Sequence, residues 1–356
     1  MLQTAVFPGR YTQGAGALAQ LSEAVSELGS KVLVIAGRTA REKLVPQIKL
    51  AHTLGAFGGE CSDEEIARLT SLGEGCDVVV ALGGGKVIDT AKAVAHQLRA
   101  RSVIVPTIAS TDAPCSGVSV IYTPEGAFKR YLFLPRNPDL VLVDTQVIAR
   151  APVRLLVAGM GDALSTWFEA DSCRRSRSPN QCGGLATGAA YALARLCYDT
   201  ILEFGQSARL ACEAGVVTPA LEHVVEANTL LSGLGFESAG LAAAHSIHNG
   251  LTRLKGAHPT YHGEKVAVGV QAGLFLTDRP GAQIAEVYGF CESVGLPTTL
   301  SELGLKDPDL ALVARTACAE GETIHHEAGG VTPEQVAAAL ATADAYGLRR
   351  RKGRSA

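Results

Sequence analysis

The stretch GLAAAHSIHNGLTRLKGAHPTYHGEKVAVG, residues 240–269, holds His245, His248, His258 and His262, four of the chain's nine histidines. Imidazoles this dense can ligate a metal, exchange protons or pack in a core. His245 falls in a helix-like run, so His248, three residues on, lies near the same face. His262 stands at a loop or a new helix start. Two histidines plus one carboxylate make a three-ligand set with an open position, the way catalytic zinc is held. The carboxylate candidate is Asp162 in GMGDALSTWFEA. By spacing alone, such a triad and a group of histidines satisfied within a core both remain open.

A second stretch, VVVALGGGKVIDTAKAV, sets Gly83, Gly84 and Gly85 between a strand and a helix. Glycines there let the backbone approach a pyrophosphate, and the helix opening at Lys86 offers free N–H groups and a positive dipole end. It is not a Walker A loop, because Val87 stands where the magnesium-binding Ser or Thr belongs. Alone, it reads equally as a tight turn without a ligand. TIASTDAP (Thr107–Pro114) follows the next strand, placing hydroxyls and Asp112 on the same sheet edge; ordinary loop polarity is the alternative.

These groups need a scaffold. KVLVIAG, CDVVVALGGGK and RSVIVPT read as buried strands, and SDEEIARLTSL and KVIDTAKAVAHQL as helices, the latter with Val87, Ala91, Val94 and Leu98 on one face. Such alternation predicts a parallel sheet with ligand loops at the carboxyl ends of its strands. YTPEGAFKRYLFLPRNPDLVLVD reads as a hairpin followed by a strand. After APVRLLVAGMGDAL strand-like runs cease. The expected architecture is a Rossmann-like α/β dinucleotide-binding domain over residues 1–150 and an all-α metal- and substrate-binding domain over 151–356. The tail LRRRKGRSA reads as a frayed, solvated end.

Composition narrows the classes. A net charge of -3 and a pI near 6.3 argue against nucleic acid as a partner. No charge-free apolar run reaches the roughly 18 residues of a membrane span. MLQTAVFPGR lacks a basic region followed by an apolar one, so no signal peptide is expected. Nine scattered cysteines without C-x-x-C suit a reducing cytoplasm.

The runs VPTIASTDAPCSGVSVIYTPEGAFKRYLFLPRNPDLVLVD, VAGMGDALSTWFEA, YALARLCYDTILEFG, VEANTLLSGLGFESAGLAAAHSIHNGL and YHGEKVAVGV resemble the iron-containing (group III) alcohol dehydrogenase superfamily. Within it they are most similar to the glycerol dehydrogenase branch, almost end to end. The resemblance implies the dehydroquinate synthase-like fold, with metal and substrate in a cleft between two domains. It implies Asp162, His245 and His262 as ligands of one zinc ion per subunit. Asp112 would touch the substrate hydroxyls and counts, with His245, as catalytic. Gly83, Gly84, Gly85, Lys86, Asp89, Thr107, Ser110, Ser116, Val118 and Tyr122 would line NAD. His248 and His258 match histidines of relatives that are not ligands, leaving them to the cleft or to packing.

Iron-binding members carry a histidine four residues after the aspartate; here that residue is Thr166. Three protein ligands remain, as in the zinc branch, although the set also suits Fe(II). The activity implied is oxidation of glycerol, or a related small vicinal diol, by a homo-oligomer that is octameric in relatives, with no membrane partner. Glycerol-1-phosphate dehydrogenase and 3-dehydroquinate synthase share the fold and are the alternatives. One departure concerns the cofactor. Relatives usually end the second strand in an aspartate that binds the adenosine ribose, whereas this chain has Gly37 followed by Arg38. Use of NADP beside NAD is therefore expected, unless Arg38 merely faces solvent.

Overall fold

The computed structural model describes residues 2–354, which fold as two compact units. The first is Val6–Leu156 with Leu210–Gly233. The second joins the described residues of Met1–Ala5, Val157–Arg209 and Leu234–Ala356.

The first unit carries strands β1 (Tyr11–Gly14), β2 (Val32–Ala36), β3 (His52–Ala56), β4 (Val78–Gly83), β5 (Arg101–Pro106), β6 (Val118–Tyr122), β7 (Phe128–Phe133) and β8 (Leu140–Asp144). Its helices are α1 (Leu21–Ser26), α2 (Arg38–Lys43), α3 (Asp63–Leu72), α4 (Gly85–Leu98) and α5 (Thr145–Ala149). Six strands form one parallel sheet in the order β1-β8-β5-β4-β2-β3, and β6 and β7 pair separately as an antiparallel hairpin. Strands β2, β4 and β8 are buried along their whole length. A parallel sheet is covered on both faces, so its strands are written as continuous apolar runs. Strand β2 has β3 on one side and β4 on the other, so the order reverses between β2 and β4. Ligands of open α/β sheets bind at such a switch point, beyond the carboxyl ends of the strands. Gly37 closes β2 there and Gly83–Gly85 close β4, tied by a hydrogen bond from Gly37 N–H to Leu82 O of 3.1 Å.

The described residues after Asp144 contain no β-strand. They form α6 (Val153–Ser176), α7 (Gly188–Glu213), α8 (Pro219–Glu226), α9 (Ser232–Ala239), α10 (Ala243–Leu251), α11 (His262–Leu276), α12 (Gly281–Val294), α13 (Leu310–Ala317) and α14 (Pro333–Arg354). Within the second unit α10, α11, α13 and α14 share a core that includes Ile247, Leu251, Val268, Val313, Val336 and Leu340. Of the expected frayed, solvated tail only the fraying is corrected: α14 continues to Arg354, Arg349 and Arg351–Gly353 are exposed, and Ser355 and Ala356 lie outside the described residues. Arg350, partly buried, donates to Glu292 at 2.8 and 3.0 Å, and exposed Arg351 pairs with Glu302 at 2.6 Å. No helix among the described residues is long and apolar enough to cross a membrane.

Candidate functional site

Glycines bring three helices of the second unit into backbone contact. A Cβ on Gly263 would lie 1.8 Å from Ala158 O, and one on Gly161 would lie 2.3 Å from Gly263 O. Helices α6 and α11 therefore touch at bare backbone, and the next residue of α6, Asp162, meets the residue before Gly263, His262. On α11, a Cβ at Gly269 would lie 2.3 Å from Ala244 O, which seats α10 with its His245 against the same helix. Glycine inside a helix costs roughly 0.5–1 kcal/mol relative to alanine, so these positions trade helix stability for close approach.

The result is a cluster of three side chains, Asp162, His245 and His262, each offering one donor atom within 4.8 Å of the others. Asp162 Oδ1 lies 3.1 Å from His262 Nε2 and 3.6 Å from His245 Nε2. Side-chain exposure rises from 1% at Asp162 through 14% at His245 to 36% at His262. The cluster is thus closed at the carboxylate and open beside His262.

Both histidines present Nε2 to the carboxylate because Nδ1 is engaged elsewhere. His245 Nδ1 lies 2.7 Å from Glu169 Oε2, and His262 Nδ1 lies 2.9 Å from His248 Nε2. Glu169 is buried on α6, two helical turns beyond Asp162 and on the same face. Its other oxygen accepts from the backbone N–H groups of Ala242 at 2.9 Å and His245 at 3.0 Å. Ala242 is the N-cap of α10 and has no side-chain oxygen, so Glu169 caps that helix from outside, joined by Glu327 on the N–H of Ala243. Spacing did not single out Glu169; the seven-residue interval from Asp162 was the available signal.

Burial alone would raise the Asp162 carboxyl, but His262 and then His245 hold it well below the usual carboxylate range. Burial likewise pushes His245 down, and Glu169 with Asp162 outweighs it, raising His245 well above its ordinary value. Two buried carboxylates therefore demand positive charge at this point. Burial and the neighbouring His262 and His245 push His248 well below its ordinary value. The ring of His258 faces away: it is exposed and lies 3.2 Å from Thr252 O. Thr166 is buried, with its methyl over Gly235, where a Cβ would come within 2.2 Å of it.

The first unit carries the other candidates on the β4–α4 turn, on α4, in the loop after β5 and on β6. Helix α4 begins at Gly85, with Gly84 as an N-cap that has no side-chain hydrogen bond. Lys86 Nζ donates to Glu60 at 2.6 Å and lies 5.2 Å from the centre of the Tyr122 ring. Thr107 leaves β5 beside the turn, donating its N–H to Gly83 O at 3.0 Å, and Ser110 follows in the same loop. Ser116 is buried, and its hydroxyl is without a partner. Asp112 is half-buried and accepts from Ser232 Oγ at 3.2 Å. Asp89 turns inward: its carboxylate lies 3.0 Å from buried Lys92 and accepts from Val120 N–H at 3.0 Å. Lys92, a residue that motif reading passes over, donates to the carbonyls of Ala113, Ser116 and Val118 and so pins the loop that carries them.

Comparison with known proteins agrees with these parts. The model of the iron-containing alcohol dehydrogenase family matches residues 8–145. A glycerol dehydrogenase of Thermotoga maritima is 59% identical over 99% of this chain and 99% of its own. A glycolaldehyde reductase of Halobacterium salinarum is 45% identical over 97% and 99%. The solved structure of a probable glycerol dehydrogenase from Sinorhizobium meliloti superposes with a TM-score of 0.94 at 46% identity, covering 98% of this chain and 99% of that one. These matches define an oxidoreductase acting on CH–OH groups. The chain belongs to the iron-containing alcohol dehydrogenase family, alongside its glycerol dehydrogenases.

Proposed function

We propose that this protein is a zinc-dependent glycerol dehydrogenase that oxidises the secondary carbon of glycerol to give dihydroxyacetone, with NAD as hydride acceptor. The observation that carries the reading is the convergence of two Nε2 atoms on the buried Asp162 carboxylate. Three donors, one anionic, open on one side, suit a catalytic rather than a closed structural site. Zinc is favoured over iron because Thr166, packed over Gly235, offers α6 no fourth ligand of the histidine type. A divalent cation held there supplies Lewis-acid polarisation of the substrate hydroxyl and lowers its pKa towards neutrality. NAD, held at the glycine turn and the start of α4, would supply the hydride acceptor.

The protein's own contribution is placement. Asp162 would supply the negative charge that retains the cation, and His245 and His262, each giving up its Nε2 proton, would supply neutral lone pairs. Asp112, with one oxygen held by Ser232, is assigned the substrate's remaining hydroxyls. The glycine turn and the start of α4 are assigned the pyrophosphate, where the backbone N–H groups and dipole favour anions. Ser116 Oγ, buried without a partner, suits a ligand contact. Assembly as a homo-oligomer, octameric as the resemblance implies, belongs to the same proposal. Initial rates with glycerol, glycerol 1-phosphate and, in reverse, glycolaldehyde test the substrate assignment. Glycerol is expected to give the highest kcat/KM, and preference for the phosphorylated substrate would overturn the reading.

Cofactor choice makes a separate prediction. Arg38 is 86% exposed and pairs with Glu42 at 3.3 Å. Such a surface pair is worth about 0–1 kcal/mol, whereas a charge-assisted contact to a 2′-phosphate is worth about 1.5–3 kcal/mol. Redirecting Arg38 is therefore favourable, and NADP use beside NAD is expected. A Cβ on Gly37 would meet only Val87 Cγ2, at 3.4 Å, so Gly37→Asp fits. That variant should lower the NADP/NAD ratio of kcat/KM by about 10- to 100-fold, by restoring repulsion and ribose hydrogen bonds. An unchanged ratio would remove Gly37 and Arg38 from the account.

A further inference from the structure

Resting on the proposal that Asp162, His245 and His262 hold the metal, we infer that Glu169 on one side, and the chain Glu322–Asn249–His248 on the other, lock both histidines with the proton on Nδ1. They are positioning residues, and His248 is one of them.

Donors and acceptors around the two histidines match in only one way. A carboxylate accepts and does not donate. Glu322 accepts from Asn249 Nδ2 at 3.0 and 3.2 Å, which turns Asn249 Oδ1 away from it, towards His248. Asn249 Oδ1 lies 3.1 Å from His248 Nδ1. Two acceptors cannot face each other there, so His248 carries its hydrogen on Nδ1. With Nε2 of His262 given to the metal on the reading above, its Nδ1 carries the hydrogen, and the nitrogen 2.9 Å away, His248 Nε2, is its acceptor. His262 Nε2, 3.1 Å from Asp162 Oδ1, is then the atom whose proton a bound cation would replace.

On the other side the logic takes one step. Glu169 Oε2 at 2.7 Å from His245 Nδ1 requires a donor there, which leaves Nε2 as the atom that would lose its proton to a bound cation. The two arms are independent in space and reach the same tautomer. Partners of this kind raise ligand basicity and fix ring orientation, and removing one typically costs about 10- to 100-fold in metal affinity.

Glu169→Gln keeps the shape and can still cap Ala242 and His245 through its amide oxygen, but turns an NH2 towards Nδ1 and favours the wrong tautomer. His248→Phe removes the acceptor for His262, and His248→Gln restores one. The readout is the Zn2+ dissociation constant of the apoprotein, by competition with a chromogenic chelator, together with the melting temperature of each apo form. Glu169→Gln and His248→Phe are expected to weaken Zn2+ by about 10- to 100-fold with little change in apo melting, and His248→Gln to recover most of the loss. Wild-type affinity in both weakened variants, or a His248→Gln as weak as His248→Phe, would overturn the inference. Should Glu169→Gln fail to fold, the pair at partly exposed His248 decides. A wild-type protein that binds no stoichiometric Zn2+ would instead overturn the metal reading beneath it.

Discussion

Asp162→Asn should leave the purified protein folded, without bound zinc, and slower on glycerol by about two to four orders of magnitude. Lewis-acid stabilisation of a developing oxyanion is worth several kcal/mol, and about 1.4 kcal/mol is a factor of ten in rate. Asp162 is the only anionic donor of the three, and asparagine matches its shape, so packing along α6 is preserved while the charge is lost. The neighbouring histidines then face a neutral amide, beside a buried Glu169 whose compensation has weakened. Metal content and kcat/KM for glycerol are to be measured on the same preparation. Stoichiometric zinc together with the lost rate would move Asp162 out of the ligand set.

Gly263→Ala is the second large effect, and it acts on the scaffold. The new Cβ would start 1.8 Å from Ala158 O, a clash with backbone that no rotamer relieves. Overpacking costs typically about 1–3 kcal/mol, and contact with main chain belongs at the upper end. Helix α11 must shift away from α6, carrying His262 from Asp162, so zinc affinity should fall together with stability. Gly273, on the same helix, supplies the control, because a Cβ there meets nothing within 4 Å. Gly273→Ala should be neutral or stabilising by up to about 1 kcal/mol, from helix propensity alone. Chemical denaturation of both variants checks the pair. Equal behaviour would mean that the α6–α11 contact does not position the site.

What was legible in the sequence follows from the range of the interactions involved. Strands β2, β4 and β8 could be read because burial on both faces writes a parallel strand as an apolar run. Gly83–Gly85 could be read because a strand-to-helix turn is local. His245 and His262 could be proposed from residue type, but their meeting with Asp162 depends on contacts between Gly161, Gly263 and Ala158 that no single segment displays. Glu169 belongs to no ligand motif, since the N–H groups it caps lie more than 70 residues away. Lys92 likewise reads as a surface lysine of an amphipathic helix, although the loop carbonyls it holds make it almost wholly buried. Arg350 reads as solvated because its partner Glu292 is distant in sequence. His248 read as a bystander because its role depends on which nitrogen of His262 it faces.

The most direct test of the account is glycerol oxidation with NAD by one wild-type preparation, assayed as isolated, after exhaustive chelation and after stepwise return of Zn2+. The account predicts that turnover is lost with the metal and returns in proportion to zinc bound, saturating at one ion per subunit. Full turnover by the metal-free protein would contradict it.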